Sequence, residues 1–365
     1  MTDQETYDRT RDVPAPASVA AQPAVSLPNE PYYQRQPELR RGPRARGLGI
    51  ALVLVGLLLL SYQLFGRGVA FGGTGSTTLV DQDYQGNRIE LSAAASDVEI
   101  RPGSDSRIHV EAIQRGGSPG DYQIDIVPSG DTLRVTESSR SFFCFFCSSS
   151  VRYRIAVPSN GQADIHTASG EIDVEGLGGA VSLASVSGDV RAGDLTGGLT
   201  VGTTSGEVQL HDIAGKLDVG SISGDIKLEN GKIDGATVNT TSGEVTLDGV
   251  AGALNLKSVS GDIHVREARD GRLDVSTTSG EIKYEGSLAS GSANKLDSIS
   301  GDVNLQLPDA SSFRLDASTV SGDLSSEFEL HNGETARRSL SGVVGDGSAT
   351  LTIGTTSGDI DIERQ

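Results

Sequence analysis

The chain has no tryptophan, one methionine and two cysteines, and aromatic side chains make up only 4% of its 365 residues. Two cysteines cannot supply a four-cysteine zinc site or a disulfide-rich scaffold. The 49 acidic residues outnumber the 30 lysines and arginines, and the formal charge of −19 disfavours binding to nucleic-acid phosphates. With so few bulky side chains, Val, Ile, Leu, Ser and Thr must fill the interior, which favours stacked thin layers over one thick core.

Charged residues are also missing from Gly47 to Gly66, a run of 20 residues reading GLGIALVLVGLLLLSYQLFG. A helix of that length spans the hydrocarbon core of a membrane, about 30 Å at about 1.5 Å per residue. A cleaved signal peptide would have a much shorter leading segment and small residues after the run, so a retained single-pass anchor is favoured. The positive-inside rule places residues 1–46 in the cytoplasm and the rest outside the cell membrane, because the run follows a group of arginines: Arg35, Arg40, Arg41, Arg44 and Arg46.

Residues 1–46 hold seven of the 12 prolines and few apolar side chains, which predicts a disordered cytoplasmic tail. Residues 67–83, rich in Gly and Thr, are predicted to be a flexible linker. The acidity lies beyond the apolar run, because residues 67–365 contain 23 basic and 43 acidic side chains.

The strongest signal is a repeated Ser-Gly-Asp/Glu tripeptide. Its copies are 18–21 residues apart except for a final gap of 36, which contains a degraded copy at Ser339-Leu340-Ser341-Gly342. The glycines of the ten copies are Gly170, Gly188, Gly206, Gly224, Gly243, Gly261, Gly280, Gly301, Gly322 and Gly358.

Apolar residues alternate on both sides of each copy, and the alternation shifts by one residue at the glycine. Alternation predicts strands, and the shift predicts a corner where a Cβ would clash or φ must be positive. The serine before the glycine is small enough to lie inside such a bend. Each unit is therefore two short strands, one corner and one loop, and it must stack on its neighbours to bury its apolar face.

An 18–21-residue period with inward Val, Ile and Leu predicts a parallel β-solenoid over residues 161–365, and an antiparallel meander is the alternative. Residues 84–160 alternate without this period and contain six candidate strands. We interpret them as a β-rich N-terminal cap that blocks the open end of the sheet.

The SVSGD/TTSGE series, behind an apolar run and a strand-rich segment, resembles the bacterial DUF4097 family, whose members carry the label adhesin. The ending from Ser339 through Gly345-Asp346-Gly347 to Thr356-Ser357-Gly358-Asp359-Ile360 is similar to that of the family as well. The resemblance covers about residues 84–365. It implies a β-helical ectodomain of the right-handed, pectate-lyase-like type and no established activity.

The acidic residues of the corners could form a column if the units stack, at Asp189, Glu207, Asp225, Glu244, Asp262, Glu281 and Asp302. Such a column could attract Ca²⁺, but capping of backbone N–H groups and solubility are the favoured roles. Units with Asp mostly carry Val or Ile two residues before the glycine, and units with Glu carry Thr or Ala. The alternation indicates either a repeat of two units or a stagger that separates like charges; Thr356, in an Asp unit, is the exception.

Parallel β-helices include polysaccharide-cleaving enzymes, but the five histidines share no position in the repeat, and no tryptophan is present to stack on a sugar. We therefore expect no catalytic residues, no cofactor and no metal site. Cys144 and Cys147, within Phe142–Cys147, form a candidate disulfide if the segment turns. The segment is interpreted as an apolar plug over the end of the solenoid, with a docking loop or a redox pair as alternatives.

These features predict a membrane-anchored, non-enzymatic interaction or scaffold protein, adhesin-like, with its solenoid outside the cell membrane. One alternative is an envelope-stress or signalling accessory that couples the ectodomain to the cytoplasmic tail. A glycan-active β-helix enzyme is a third hypothesis.

Overall fold

In the computed structural model of the chain, the described residues are 76–116, 120–139 and 149–365. The chain divides into two units, Met1–Val69 and Ala70–Gln365, and all described residues belong to the second. They form strands and turns without a helix, so the all-β prediction is confirmed for them. No apolar helix long enough to cross a membrane therefore occurs among them, and the predicted tail and span, residues 1–66, lie outside the described residues.

The strands fall into three groups along the chain. The first seven are β1 Ser76–Gln85, β2 Arg88–Ala95, β3 Asp97–Gly103, β4 Arg107–Arg115, β5 Tyr122–Ser129, β6 Thr132–Ser139 and β7 Ser150–Pro158. The repeats supply β8 Gln162–Ser169, β9 Ile172–Glu175, β10 Val181–Ser185, β11 Val190–Leu195, β12 Leu199–Thr203, β13 Val208–Ser221, β14 Ile226–Thr240, β15 Val245–Asp248, β16 Ala251–Lys257, β17 Ile263–Thr277, β18 Ile282–Leu288, β19 Ala293–Ser298 and β20 Val303–Leu307. The last six are β21 Phe313–Ser321, β22 Leu324–Ser326, β23 Thr335–Ala336, β24 Ser339–Val344, β25 Ala349–Ser357 and β26 Ile360–Arg364.

Each repeat forms one rung, which we define as a strand before the Ser-Gly-acid corner (face A) and a strand after it (face B). On face A, Leu199 lies opposite Leu217 of the next rung, and on face B Val208 lies opposite Ile226, in both cases in parallel register. The 18-residue repeat is thus the separation in sequence between residues that face each other on neighbouring strands. The registers are those expected of a stacked solenoid and exclude the antiparallel meander for these repeats.

At the N-terminal end the rungs do not stack in chain order. Strands β2 and β3 form a rung that pairs with β8 and β9 on one side and with β6 and β7 on the other. The rung formed later in the chain, β6–β7, is therefore the outer one. The region predicted as a cap, 84–160, contributes two parallel rungs of its own, and β4 and β5 close their outer edges in antiparallel pairing.

Part of the predicted linker, 67–83, is a strand. Residues 76–83 belong to β1, which pairs antiparallel with β4. The prediction of a flexible segment was wrong for these residues because it weighed their small and polar composition, whereas β4 offers them a free strand edge to pair with.

The C-terminal end repeats the out-of-order arrangement. Strands β25 and β26, the last in the chain, pair with β19 and β20 on one side and with β21 and β22 on the other. The prediction of a degraded rung at Ser339–Gly342 was wrong, since β24 pairs antiparallel with β21 and closes its outer edge. Val343, which stands at the acidic position, pairs with Arg314 of β21.

The core is one continuous layer of aliphatic side chains between the two faces, as composition predicts. Leu199, Val201, Val208 and Leu210 are the inward residues of a typical rung and are at most 2% exposed. Burying each contributes about 1.5–3 kcal/mol. At the C-terminal end, Phe313 packs edge-on against Phe328 with ring centroids 5.3 Å apart.

The rung order can be tested with engineered disulfides in a Cys144→Ser/Cys147→Ser background. Thr352 faces Lys295 on one side and Asp316 on the other. Facing positions lie about 4.8 Å apart, within the Cα range of a disulfide, whereas alternate rungs are about 9.6 Å apart. We expect Thr352→Cys to cross-link with either Lys295→Cys or Asp316→Cys, measured by mass spectrometry under non-reducing conditions.

The matched control is the Lys295→Cys/Asp316→Cys pair, which should remain reduced. If the rungs stacked in chain order, these two residues would be neighbours, and their efficient cross-linking would contradict the observed order.

Candidate functional site: the Ser-Gly-acid corner

The corner glycines stack directly on one another along the ladder. A Cβ added to Gly188, Gly206 or Gly224 would lie less than 3.0 Å from the carbonyl oxygen of the glycine in the preceding rung, a distance that real Cβ atoms do not adopt. Gly243, Gly261, Gly280 and Gly301 continue this column in chain order, Gly358 then stacks on Gly301, and Gly322 stacks on Gly358. Gly170 stacks on Ser96 of the β2–β3 rung.

Close approach, rather than backbone conformation, selects glycine at these corners. Among the ten corner glycines only Gly170 has a positive φ, of 127°. The other nine adopt conformations open to any residue, but the backbone of the neighbouring rung fills the space where a Cβ would be. Of the two reasons expected from the sequence, the steric one therefore applies at all ten corners, and a positive φ adds to it only at Gly170.

A buried Ser or Thr lies three residues before each corner glycine, and at five corners its hydroxyl braces the turn from inside. The N–H groups of five corner glycines donate to these hydroxyls over 2.8–3.1 Å, at Ser185, Thr203, Ser221, Thr240 and Ser258. The serine directly before the glycine was expected inside the bend and is instead exposed. The hydroxyls of Ser187, Ser205 and Ser223 donate outward to carbonyls of the preceding rung over 3.1–3.3 Å.

The acidic residues of the corner have two different roles. Each Asp carboxylate that has a rung after it accepts a hydrogen bond over 2.8–3.0 Å from the main-chain N–H of the acidic residue in that next rung. The pairs, with the accepting Asp first, are Asp189 and Glu207, Asp225 and Glu244, Asp262 and Glu281, Asp302 and Asp359, and Asp359 and Asp323. The longer Glu side chains turn to their own strand, where Gln209 donates to Glu207 and Lys283 to Glu281. From Asp189 to Asp302 the Asp/Glu alternation is thus a two-rung repeat of hydrogen bonding, and Asp302, Asp359 and Asp323 then follow in consecutive rungs.

An exposed row of β-branched residues follows the outer side of these corners, two residues before nine of the ten glycines; Ala168 holds this position at the Gly170 corner. We call it the corner ridge; in spatial order it consists of Val186, Thr204, Ile222, Thr241, Val259, Thr278, Ile299, Thr356 and Val320. Its five aliphatic members are 47–63% exposed, and Val127 is the only other large hydrophobic side chain so exposed among the described residues.

The out-of-order rung explains the exception that Thr356 makes in the sequence. In chain order Ile299 is followed by Val320, but Thr356 lies between them because β25 is inserted between β19 and β21. In space, therefore, Thr alternates with Val or Ile without interruption along the ridge.

A second kind of corner has a residue in the left-handed backbone conformation, and it was not predicted from the sequence. Asp194, Asp212 and Asn230 have φ of 53°, 51° and 58° in successive rungs. Asp and Asn tolerate this conformation better than most residues, and their recurrence 18 residues apart was the signal.

The Asp194, His211 and Asp212 side chains are the one group in the described residues whose acidic and imidazole atoms could share a metal ion. All three are exposed, and the backbone requirement already accounts for both aspartates. Three of the other four described histidines lie beside different acids: His109 near Asp83, His166 near Asp164 and His264 near Glu244. The fourth, His331, lies in an isolated bridge with Val343. The described histidines therefore do not converge on a common site.

One acidic residue occupies an inward position where other rungs have Ser or Thr. Glu137, at 8% exposed, accepts hydrogen bonds from the Ser96 hydroxyl at 2.6 Å and the Tyr153 hydroxyl at 3.0 Å. Burial, together with the neighbouring Glu137 carboxylate, raises the pKa of Tyr153 well above its usual value. The hydrogen bond from Ser96 to Glu137 therefore links the outer N-terminal rung to its neighbour, a role that the sequence pattern did not reveal.

A groove of about 300 Å³ on face B is lined by His264, Lys283, Tyr284, Asn304 and Glu363, among others. Burial raises the pKa of Tyr284, and its hydroxyl donates to the Ser287 carbonyl at 2.8 Å. The Lys283 ammonium donates to Glu281. Tyr284 and Lys283 thus bond to residues of their own rung rather than to a common point in the groove. The candidate disulfide, Cys144 with Cys147, lies outside the described residues.

The steric requirement at the corner predicts a sharp difference between two glycines. Gly243→Ala places a methyl group against the Gly224 carbonyl, whereas the space around a Cβ at Gly220 is open. We expect Gly243→Ala to lower the free energy of unfolding by about 1–3 kcal/mol, as overpacking does, and Gly220→Ala to change it by about 0.5 kcal/mol or less. Denaturant unfolding measures both; equal effects would contradict steric selection.

The DUF4097 (Toastrack) family model matches residues 86–287 and 217–363, which together cover about three quarters of the chain. No curated protein matches it.

Similar solved structures include three bacterial proteins. A "putative lipid binding protein" from Parabacteroides distasonis is 12% identical, with 80% of this chain and 98% of that chain covered and a TM-score of 0.37. A "putative adhesin" from Bacteroides fragilis is 11% identical, with 80% and 99% covered and a TM-score of 0.36. A "putative cell adhesion protein" from Clostridium sporogenes is 10% identical, with 78% and 100% covered and a TM-score of 0.21. On the extent of the family match, the chain belongs to the DUF4097 (Toastrack) family.

Proposed function

We propose that the chain is a membrane-anchored, extracytoplasmic β-solenoid that acts as a non-enzymatic, adhesin-like interaction surface. The observation that carries this proposal is that the polar and the apolar side chains of the corner have different surroundings. The polar groups there bond from rung to rung, as between Asp225 and Glu244, while the corner ridge leaves Val and Ile side chains about half exposed. Exposed apolar side chains in a continuous row are typical of an interaction site.

The proposed anchor rests on the sequence. The uncharged run from Gly47 to Gly66 is long enough to span a membrane, and the arginines before it favour a cytoplasmic N-terminus. In this proposal residues 1–46 are a cytoplasmic tail, and the ladder of parallel rungs is held outside the cell membrane. The formal charge of −20 over residues 67–365 then keeps the ectodomain soluble.

The arrangement of titratable groups supports a binding role over catalysis. A general acid or base must lie within hydrogen-bond reach of the proton that it transfers. His109, His166 and His264 lie beside separate acids, and the Asp194, His211 and Asp212 group is exposed. Tyr284 already donates to a backbone carbonyl. What the ladder offers instead is a repeated surface of constant spacing.

The topology predicts a specific protease pattern in intact spheroplasts that express the full chain with a tag at each end. Protease added outside should remove the C-terminal tag and leave the N-terminal tag protected, as immunoblots would show. A secreted product that lacks residues 1–66 would contradict the anchor, and so would an N-terminal tag that is digested before lysis.

The interaction role predicts that the ridge is needed for attachment between cells that express the full chain. Ile222→Lys with Ile299→Lys should reduce clustering of such cells strongly, because a charge replaces an exposed apolar side chain in two rungs. The matched control is Val127→Lys, an exposed Val off the ridge, which should cluster as the unsubstituted chain does. Equal clustering by all three at equal surface expression would contradict this role.

A further inference from the structure

The corner ridge has a property that points to one kind of partner. Its aliphatic residues read Val186, Ile222, Val259, Ile299 and Val320 in space, with one Thr between each pair. The order is the same from either end, with Val259 at the centre. In an isologous interface, residue i of one copy meets residue j of the other, and j meets i. A row that has the same order from both ends can therefore pair with its own copy, like residue against like residue.

We propose that the ridge pairs with the ridge of a second copy of this chain, antiparallel, about a two-fold axis through Val259. This proposal rests on the interaction role above and names its partner. The axis brings Val186 opposite Val320, Ile222 opposite Ile299 and Val259 opposite its own copy. The remaining pairs are Thr204 with Thr356 and Thr241 with Thr278, so that every aliphatic side chain meets an aliphatic one and every hydroxyl a hydroxyl.

The spacing of the rungs favours a second copy over an unrelated surface. The nine ridge positions lie on consecutive rungs, which at about 4.8 Å per rung extend over about 38 Å, with an aliphatic side chain every 9.6 Å or so. A partner must repeat at that spacing to pair with all five, and another copy of the ladder does so by construction. Pairs of β-branched residues and pairs of Thr are favourable across strands.

The column beside the ridge on face A is open at one end of the ridge. There Ala184, Gly202 and Gly220 lie two residues before successive ridge positions, and a Cβ added to either glycine would meet nothing within 4 Å. Nearer the axis the same column carries Asn239, Lys257 and Asp297, so the partner packs against longer side chains there. A standard dimer buries about 800 Å² on each partner, which over 38 Å needs a width of about 20 Å, so the flanking columns must contribute to the interface.

Charge acts against this pairing and gives it a signature. The corner acids lie three residues after the ridge positions, and those of the two copies carry the same sign, as Asp262 does beside Val259. Salt screens such exposed charges and leaves apolar contacts intact. Pairing through the ridge should therefore strengthen as NaCl is raised.

Cysteine cross-linking of the full chain in its membrane tests the pairing in a Cys144→Ser/Cys147→Ser background. Val259→Cys lies on the axis and should form a disulfide dimer, seen on non-reducing gels, about tenfold faster than Val127→Cys, because pairing raises the effective concentration of its own copy. The rate should increase with NaCl. Val186→Cys alone and Val320→Cys alone should react no faster than Val127→Cys, whereas the two variants co-expressed should cross-link to each other.

The outcomes separate the proposals. A Val259→Cys rate equal to that of Val127→Cys, or lowered by NaCl, would overturn the ridge dimer, and fast self-linking of Val186→Cys would overturn its antiparallel axis. If cross-linking fails while the Ile222→Lys/Ile299→Lys variant still loses clustering, the interaction role holds and its partner is not a second copy. If the proposed topology is wrong, the protease experiment shows it without reference to the ridge.

Discussion

The contact on which the structure depends is the stacking of one corner glycine on the next. The carbonyl oxygen of each glycine occupies the place where the Cβ of its neighbour would be. A Cβ at any one of these positions would therefore push two rungs apart. Once the glycines stack, the strands on both faces fall into register, and the buried hydroxyl and the Asp carboxylate each reach a backbone N–H. The corner thus sets the register of the core as well as the positions of the ridge.

This dependence explains why much of the fold could be predicted from the sequence. Alternation around Leu199 and Val208 indicated two strands, and the phase shift between them indicated the corner. The 18-residue period indicated parallel stacking, which the registers show. These signals are local and repeat many times, so each copy supports the others.

What could not be predicted depends on contacts between ends of the chain. The rung containing Ile353 is inserted between two rungs that come before it in the sequence. The spacing of motifs along the chain does not indicate such an insertion. One signal did exist, because Thr356 broke an alternation that only the inserted order restores. The buried Glu137 was missed for a similar reason, since its partners Ser96 and Tyr153 belong to a rung and a strand that become its neighbours only after folding.

The two-rung period links the interior of the corner to its surface. Asp rungs carry Val or Ile on the ridge, as in Val259 with Asp262, and Glu rungs carry Thr, with the inserted Thr356 rung as the Asp-bearing exception. An Asp that caps the next rung and an apolar side chain exposed beside it therefore recur together, every second layer. The ridge side chains are evenly spaced because the rungs beneath them are evenly stacked. This constant spacing is what allows the ridge of one copy to pair with the ridge of another.

The central claim is that stacked corners, rather than chain order, define the neighbours of each rung. Amide hydrogen exchange of the intact chain, followed by mass spectrometry, tests it most directly. We expect β25, although close to the C-terminus, to exchange as slowly as the middle strand β16, because both have a strand on each side. We also expect faster exchange for the short edge strand β22. Rapid exchange of β25 together with strong protection of β22 would contradict the account.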